Sequence, residues 1–138
     1  MFCKRFILLI DAYFQQYQKT INSCLVVQTN RIACDKRGTY EGFITGEIFF
    51  ADNSLLHVRE FVDVECGVNR LMYLYQYMTE SKTLIFRYDN TGHHRKLELL
   101  TYPHHKHERS ETNVIASSAP LLEEVLKEIE SLCMIEIS

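Results

Sequence analysis

Apolar and polar positions change period several times along the chain, and each change marks an element. Phe6, Leu9, Ile10, Tyr13, Phe14 and Tyr17 recur at three- and four-residue spacing, one face of an amphipathic helix of about four turns. Residues 21–33 then turn β-branched and apolar (Leu25, Val26, Val27, Thr29, Ile32), which predicts a first strand, and Asp35-Lys36-Arg37-Gly38 supplies a turn. Residues 43–50 and 55–64 alternate on either side of Ala51-Asp52-Asn53-Ser54, where Asp and Asn tolerate the positive φ of a tight hairpin turn. Residues 71–78 set aromatics at period two, and Thr79-Glu80-Ser81-Lys82 joins them to a further run at 83–88. Residues 89–113 read as irregular apart from a short strand at 97–101.

The last segment returns to helical spacing. Leu122, Val125, Leu126, Ile129 and Leu132 form its apolar stripe, with Ser118 as the cap, Pro120 in the first turn and Glu123 and Glu124 near the positive end. Sequential strands with short connections pair antiparallel. The expected fold is α+β: a twisted antiparallel meander of five to six strands, with the N-terminal and C-terminal helices packed on one face. With neither repeat nor linker, residues 1–138 make a single domain.

Composition narrows the class. At 46% apolar and 24% charged the chain is neither disordered nor fibrous, and a net charge of −3 excludes a uniformly basic nucleic-acid-coating protein. Five cysteines, an odd number with no Cys-x-x-Cys pair, argue against a disulfide framework or a thiolate zinc site and for buried thiols in a reducing cytosol. Lys4 and Arg5 precede an apolar run of only five residues at 6–10, too short for a signal peptide, and no stretch approaches a membrane span. The expectation is a soluble cytoplasmic protein without a membrane partner.

Five of the six histidines fall between positions 93 and 107: His93, His94, His104, His105 and His107. From Lys82 to Arg109 there are six Lys or Arg against three Asp or Glu, although the chain as a whole is acidic. Such asymmetry suits a polyanion or an anionic transition state. Metal-independent RNA cleavage needs a base for the 2′-hydroxyl, an acid for the leaving 5′-oxygen and a cation for the phosphorane, and histidines with Arg or Lys provide all three. His105 and His107 are the acid and base candidates, with His93 and His94 as further candidates. Arg87 and Lys106 would hold the phosphate, and Asp89 would orient a histidine.

Other readings stand beside that one. His105 and His107 point the same way on an extended segment, as two zinc ligands must, with Asp89 as a third and His104 turned to the other side. The histidines also suit a merely polar loop. Arg95 and Lys96 offer charge to a substrate. Tyr73, Tyr75 and Tyr77 share one strand face and suit either base stacking or cross-strand packing. Glu60 sits among Leu56, Val58 and Val62 on an apolar face, so it must be partnered, with Arg87 across the sheet for instance, or serve as a base.

One series of segments resembles a known family. Glu41-Gly42-Phe43-Ile44-Thr45-Gly46-Glu47-Ile48, Asp52-Asn53-Ser54-Leu55-Leu56 and Glu60-Phe61-Val62-Asp63 come first. Tyr73-Leu74-Tyr75-Gln76-Tyr77, Phe86-Arg87-Tyr88-Asp89-Asn90 with His93-His94, and Tyr102-Pro103-His104-His105-Lys106-His107 follow. In that order they are similar to the TumE-type toxins of bacterial toxin–antitoxin pairs. Asn53 stands where the family's turn usually has Gly, and Thr91-Gly92 where Ala-Pro is expected. The resemblance implies a small cytoplasmic toxin encoded beside a helix-turn-helix antitoxin, and carries over no catalytic residues. Joined to the His/Arg constellation, it yields the expectation of a type II toxin acting as a metal-independent endoribonuclease. The competing expectation is a non-catalytic antitoxin- or RNA-binding protein with a His-rich or zinc site. The edge strand at 21–33 is open to pairing with a second copy of the chain or with an antitoxin segment.

Overall fold

A computed structural model describes residues 8–91 and 103–137, with side chains as far as Cys133. In it, α1 (Ile10–Asn22) precedes the strands β1 (Val27–Lys36), β2 (Glu41–Phe50), β3 (Leu55–Asp63), β4 (Asn69–Met78), β5 (Leu84–Asp89), β6 (His105–Glu108) and β7 (Val114–Ala116), and α2 (Leu122–Ile137) follows. The strands lie in chain order in one sheet, each antiparallel to the next. This is the α+β meander expected from the periodicity, with seven strands among the described residues rather than five to six. The additional strands fall where the pattern reads as irregular. β6 is only four residues, His105-Lys106-His107-Glu108, and β7 only three, so neither carries the apolar alternation that announces a strand. The short strand expected at 97–101 lies outside the described residues.

Both helices differ from expectation at their ends. The stripe of α1 runs on through Ile21, which is fully buried, so the helix continues to Asn22 and the first strand begins at Val27 instead of 21. Asp11 in its first turn and Lys19 in its last complement the helix dipole in the absence of a capping side chain. α2 starts at Leu122, and Ser118 does not cap it. The Glu124 side chain instead accepts the Leu121 N–H at 3.0 Å, the reciprocal half of a capping box. Ala119, at φ 58°, turns the chain into the helix. At the β2–β3 hairpin Asn53 adopts φ 70°, the conformation its residue type allows there.

The core lies between one sheet face and both helices. Ile44, Ile48, Leu56, Val58, Tyr73, Tyr75, Tyr77 and Phe86 meet Tyr17 and Ile21 of α1 and Leu122, Val125, Leu126 and Ile129 of α2. Each such aliphatic or aromatic side chain contributes roughly 1.5–3 kcal/mol on burial. Of the described cysteines only Cys133 is buried, whereas Cys34 and Cys66 are exposed; uniformly buried thiols therefore do not describe this protein. Among the described residues no helix is long and apolar enough to cross a membrane.

Gly46 sits opposite Ile32 in the β1–β2 ladder, and a Cβ there would lie 2.0 Å from the Arg31 carbonyl oxygen. Only glycine allows the two strands this approach. Gly46→Ala is therefore expected to destabilise the fold by about 1–3 kcal/mol through forced separation of β1 and β2. The midpoint of urea unfolding measures it, and an unchanged midpoint would show that β1 yields freely.

Candidate functional site

The pairing of β5 with β6 sets Asp89 opposite His105 and Arg87 opposite His107. Side chains two apart on a strand share a face, so all four project together, on the side of the sheet away from the helices. His105 Nε2 lies 2.8 Å from Asp89 Oδ1, and His107 Nε2 lies 3.6 Å from Oδ2. Arg87 donates from Nε to Asp89 Oδ2 at 3.0 Å, and from Nη1 to Gln76 at 3.1 Å and to Glu111 at 2.8 Å. Its Nη2 stands 3.0 Å from His107 Nε2. The four side chains thus form one network.

Its protons can be assigned from donor and acceptor types. His107 Nδ1 is 2.9 Å from the Glu111 carbonyl, which only accepts, so Nδ1 carries the proton and Nε2 accepts from Arg87. That makes His107 neutral, in line with a pKa pushed down chiefly by burial. His105 Nδ1 likewise donates to the Pro103 carbonyl at 2.9 Å. Burial pushes the Asp89 carboxyl up, but hydrogen bonds from Thr91, together with His105 and Arg87, outweigh it and hold the pKa below the ordinary range. The resulting stabilisation is complete above the unfolded carboxyl range and is lost as pH falls through the lowered folded value.

Asp89, His105 and His107 also bring three ligand atoms within 4.8 Å of one another, with each imidazole anchored through Nδ1 to a carbonyl as metal-bound histidines are. The Arg87 guanidinium, however, already sits 3.0 Å from both Asp89 Oδ2 and His107 Nε2. A divalent ion would have to displace a permanent cation, so these residues fit a guanidinium better than a metal. His105, His107 and Asp89 are each about 1% exposed, which makes the network a rigid anchor between β5 and β6 instead of an open pocket.

The remaining sequence-selected residues separate from this group. Lys106 turns to the helix side, where its Nζ lies 2.9 Å from Glu108 and 3.0 Å from Glu128 and sits over the Phe86 and Tyr88 rings. Alternation along β6 prevents it from sharing a phosphate with Arg87. Glu60 is not paired with Arg87 either. It is fully buried under α1 and accepts from Tyr13 Oη and Tyr75 Oη, each at 2.6 Å. Tyr73, Tyr75 and Tyr77 are core residues, stacked or edge-on against one another and their neighbours, and form no open stacking platform. His93, His94, Arg95 and Lys96 lie outside the described residues.

The alternation that turns His105 and His107 outward turns His104 inward, onto Tyr73. The two rings stack at an interplanar angle of 15°, and Tyr73 Oη lies 2.9 Å from His104 Nδ1. Here a cleft of about 470 Å³ opens among α1, β4 and the start of α2, lined by Tyr13, Gln16, Arg70, Tyr73, His104 and Leu122. Arg70 lies 4.3 Å over the Tyr73 ring and donates to Tyr75 Oη at 3.0 Å and to the Pro120 and Ala119 carbonyls at 2.8 Å. Burial, then the Arg70 charge and His105, push the His104 pKa down. Burial pushes the Tyr73 hydroxyl up to about 12 despite Arg70.

Arg70 carries no motif, and strict alternation counted back from Tyr73 would send it to the outer face. A bulge between Phe61 and Val62 pairs Phe61 with Met72 and Val62 with Arg70, skipping Leu71. The extra residue leaves Leu71 exposed and turns Arg70 towards the helices. The sequence signals that bear on this cleft are the inward parity of His104 and the place of Tyr73 on the aromatic face of 71–78.

Neither the curated proteins nor the solved structures gave a match to the chain. The model of the family described as Toxin TumE matches residues 15–133, a span that holds every strand, most of both helices, the Arg87–Asp89–His105–His107 network, and Arg70, Tyr73 and His104 of the cleft. The chain therefore belongs to the TumE toxin family.

Proposed function

We propose that this toxin stops growth by cutting RNA without a metal, as one half of a type II pair with a helix-turn-helix antitoxin, and that the cut is made in the cleft between α1, β4 and α2. The observation that supports this reading most is the meeting of a guanidinium and an imidazole in one open cavity, Arg70 and His104 against Tyr73. A phosphodiester entering there meets the two groups its cleavage requires. Arg70 neutralises the non-bridging oxygens as charge builds on the phosphorane. His104, as imidazolium, donates to the leaving 5′-oxygen, while Tyr73 at Nδ1 holds the ring in place. The 2′-oxygen bonds to phosphorus and the bond to the 5′-oxygen breaks, leaving a 2′,3′-cyclic phosphate and a 5′-hydroxyl. His105, His107, Asp89 and Arg87 act one step back, by fixing β6 against β5 and hence the position of His104.

Loss of the general acid is expected to cost roughly 10²–10⁴-fold. His104→Ala should lower the rate of RNA oligonucleotide cleavage by that factor and abolish growth inhibition, with little change in thermal stability. Arg70→Lys, which keeps charge but loses the planar fork, should also impair cleavage. A native protein that binds RNA, antitoxin or both but cuts no RNA would support the non-catalytic alternative instead.

The sign of the pH dependence follows from the direction of the His104 shift. Its acid form is populated only below a pKa lying under the ordinary 6.5, with Arg70 and Tyr73 of β4, Tyr13 and Tyr17 of α1, and Glu123 of α2 around the same cleft. Cleavage should therefore accelerate as pH falls from about 8 to about 6. A rate that declines over that interval would assign the imidazole the role of base. Cleavage should also survive EDTA, and elemental analysis of the purified protein should find no stoichiometric zinc. Loss of activity on chelation would overturn metal independence.

A further inference from the structure

We propose that Glu60, behind the cleft, is the final acceptor of the 2′-hydroxyl proton, which reaches it through the Tyr13 hydroxyl. The inference rests on the reading that the cleft cuts RNA, and it assigns the second of the two proton transfers that cleavage needs.

Glu60 is 0% exposed on the inner face of β3, between Val58 and Val62 and opposite Ile44 of β2. A carboxylate in such surroundings is costly to bury, and an aliphatic residue would fill the same place. Among the described residues no lysine or arginine forms an ion pair with it. Two phenols hold it, Tyr13 of α1 on Oε1 and Tyr75 of β4 on Oε2, each at 2.6 Å. Arg70 comes closest in charge, one hydrogen bond away through Tyr75 Oη at 3.0 Å, and the Tyr17 hydroxyl of α1 is buried nearby. Both carboxylate oxygens accept a phenol hydrogen bond, so the group is held with its lone pairs directed at hydroxyls.

Tyr13 connects this buried charge to the outside. Its side chain lines the cleft with Arg70 and His104 while its hydroxyl donates to Glu60. With its own proton committed inward, the oxygen has a lone pair to offer a substrate hydroxyl. As O2′ bonds to phosphorus, its proton passes to Tyr13 Oη and the Tyr13 proton passes to Glu60 Oε1. The 5′-oxygen leaves with the proton from His104. The turnover ends with Glu60 protonated and His104 neutral, and exchange with solvent restores both. Burial and the neighbouring Glu60 charge drive the Tyr13 pKa far up, so a phenolate is not a resting state and the phenol only conducts the proton.

The test uses the full-length protein and a single-stranded RNA oligonucleotide. Tyr13→Phe and Glu60→Gln are each expected to lower kcat by roughly 10²–10⁴-fold with KM little changed. The double variant should be no slower than the worse single one, since one relay is removed in each case. Should Glu60→Gln fail to fold, Tyr13→Phe carries the test. A folded Tyr13→Phe protein that cleaves within threefold of native while His104→Ala is inactive overturns the relay and leaves the cleft reading intact. Full activity of His104→Ala, or no cleavage by the native protein, overturns both.

Discussion

The antiparallel register of β5 on β6 is the constraint that decides which side chains of the histidine-rich segment meet. Asp89 opposite His105 and Arg87 opposite His107 put two imidazoles, a carboxylate and a guanidinium on one face. The same register puts His104 and Lys106 on the other. Because the period of a strand is two, a slip of one residue would exchange these sets. It would drive His105 and His107 under the helices and bring His104 out of the cleft. The buried network holds the register in place: a slip would leave Asp89, about 1% exposed, without its partners, at a cost of several kcal/mol.

Two carboxylates are buried among the described residues, and they are satisfied in different ways. Asp89 is surrounded by formal or potential cations and by the Thr91 N–H and hydroxyl, which together outweigh the cost of burial. Glu60 has only neutral phenol donors at hydrogen-bond distance, with Arg70 beyond. The first arrangement immobilises protons, because each donor in it faces a fixed acceptor. The second leaves a carboxylate connected to a cleft by one hydroxyl. That difference moves the proposed chemistry from His105 and His107, where the histidine-rich segment first directs attention, to the residues around His104.

The cleft also depends on an irregularity. The bulge that skips Leu71 swings Arg70 beneath α2, where it binds the carbonyls of Ala119 and Pro120 and lies against Tyr73. Ala119 at positive φ and the turn into α2 are thus tied to the same guanidinium that faces the cavity. One side chain joins the entry of the last helix to the wall of the site, so the shape of the cleft and the seating of α2 are coupled.

Much of the architecture was legible in the chain itself. Periodicity at 6–17, 43–50, 55–64, 71–78 and 122–132 identified two helices and the central strands of a meander, because apolar side chains at period 3.6 or 2 can be buried in only one way. Composition and the histidine-rich run pointed to the β5–β6 segment, and Arg87, Asp89, His105 and His107 do converge there. The strands β6 and β7 escaped notice because polar four- and three-residue strands are stabilised by their neighbours and not by their own pattern. The bulge at Leu71, the inward turn of Arg70 and the exclusion of Lys106 from the Arg87 network were decided by tertiary structure alone. Local sequence specifies which face a residue prefers. Which side chains meet depends on strand register and on where the ladder takes up an extra residue, and both are set by contacts between segments far apart in the chain.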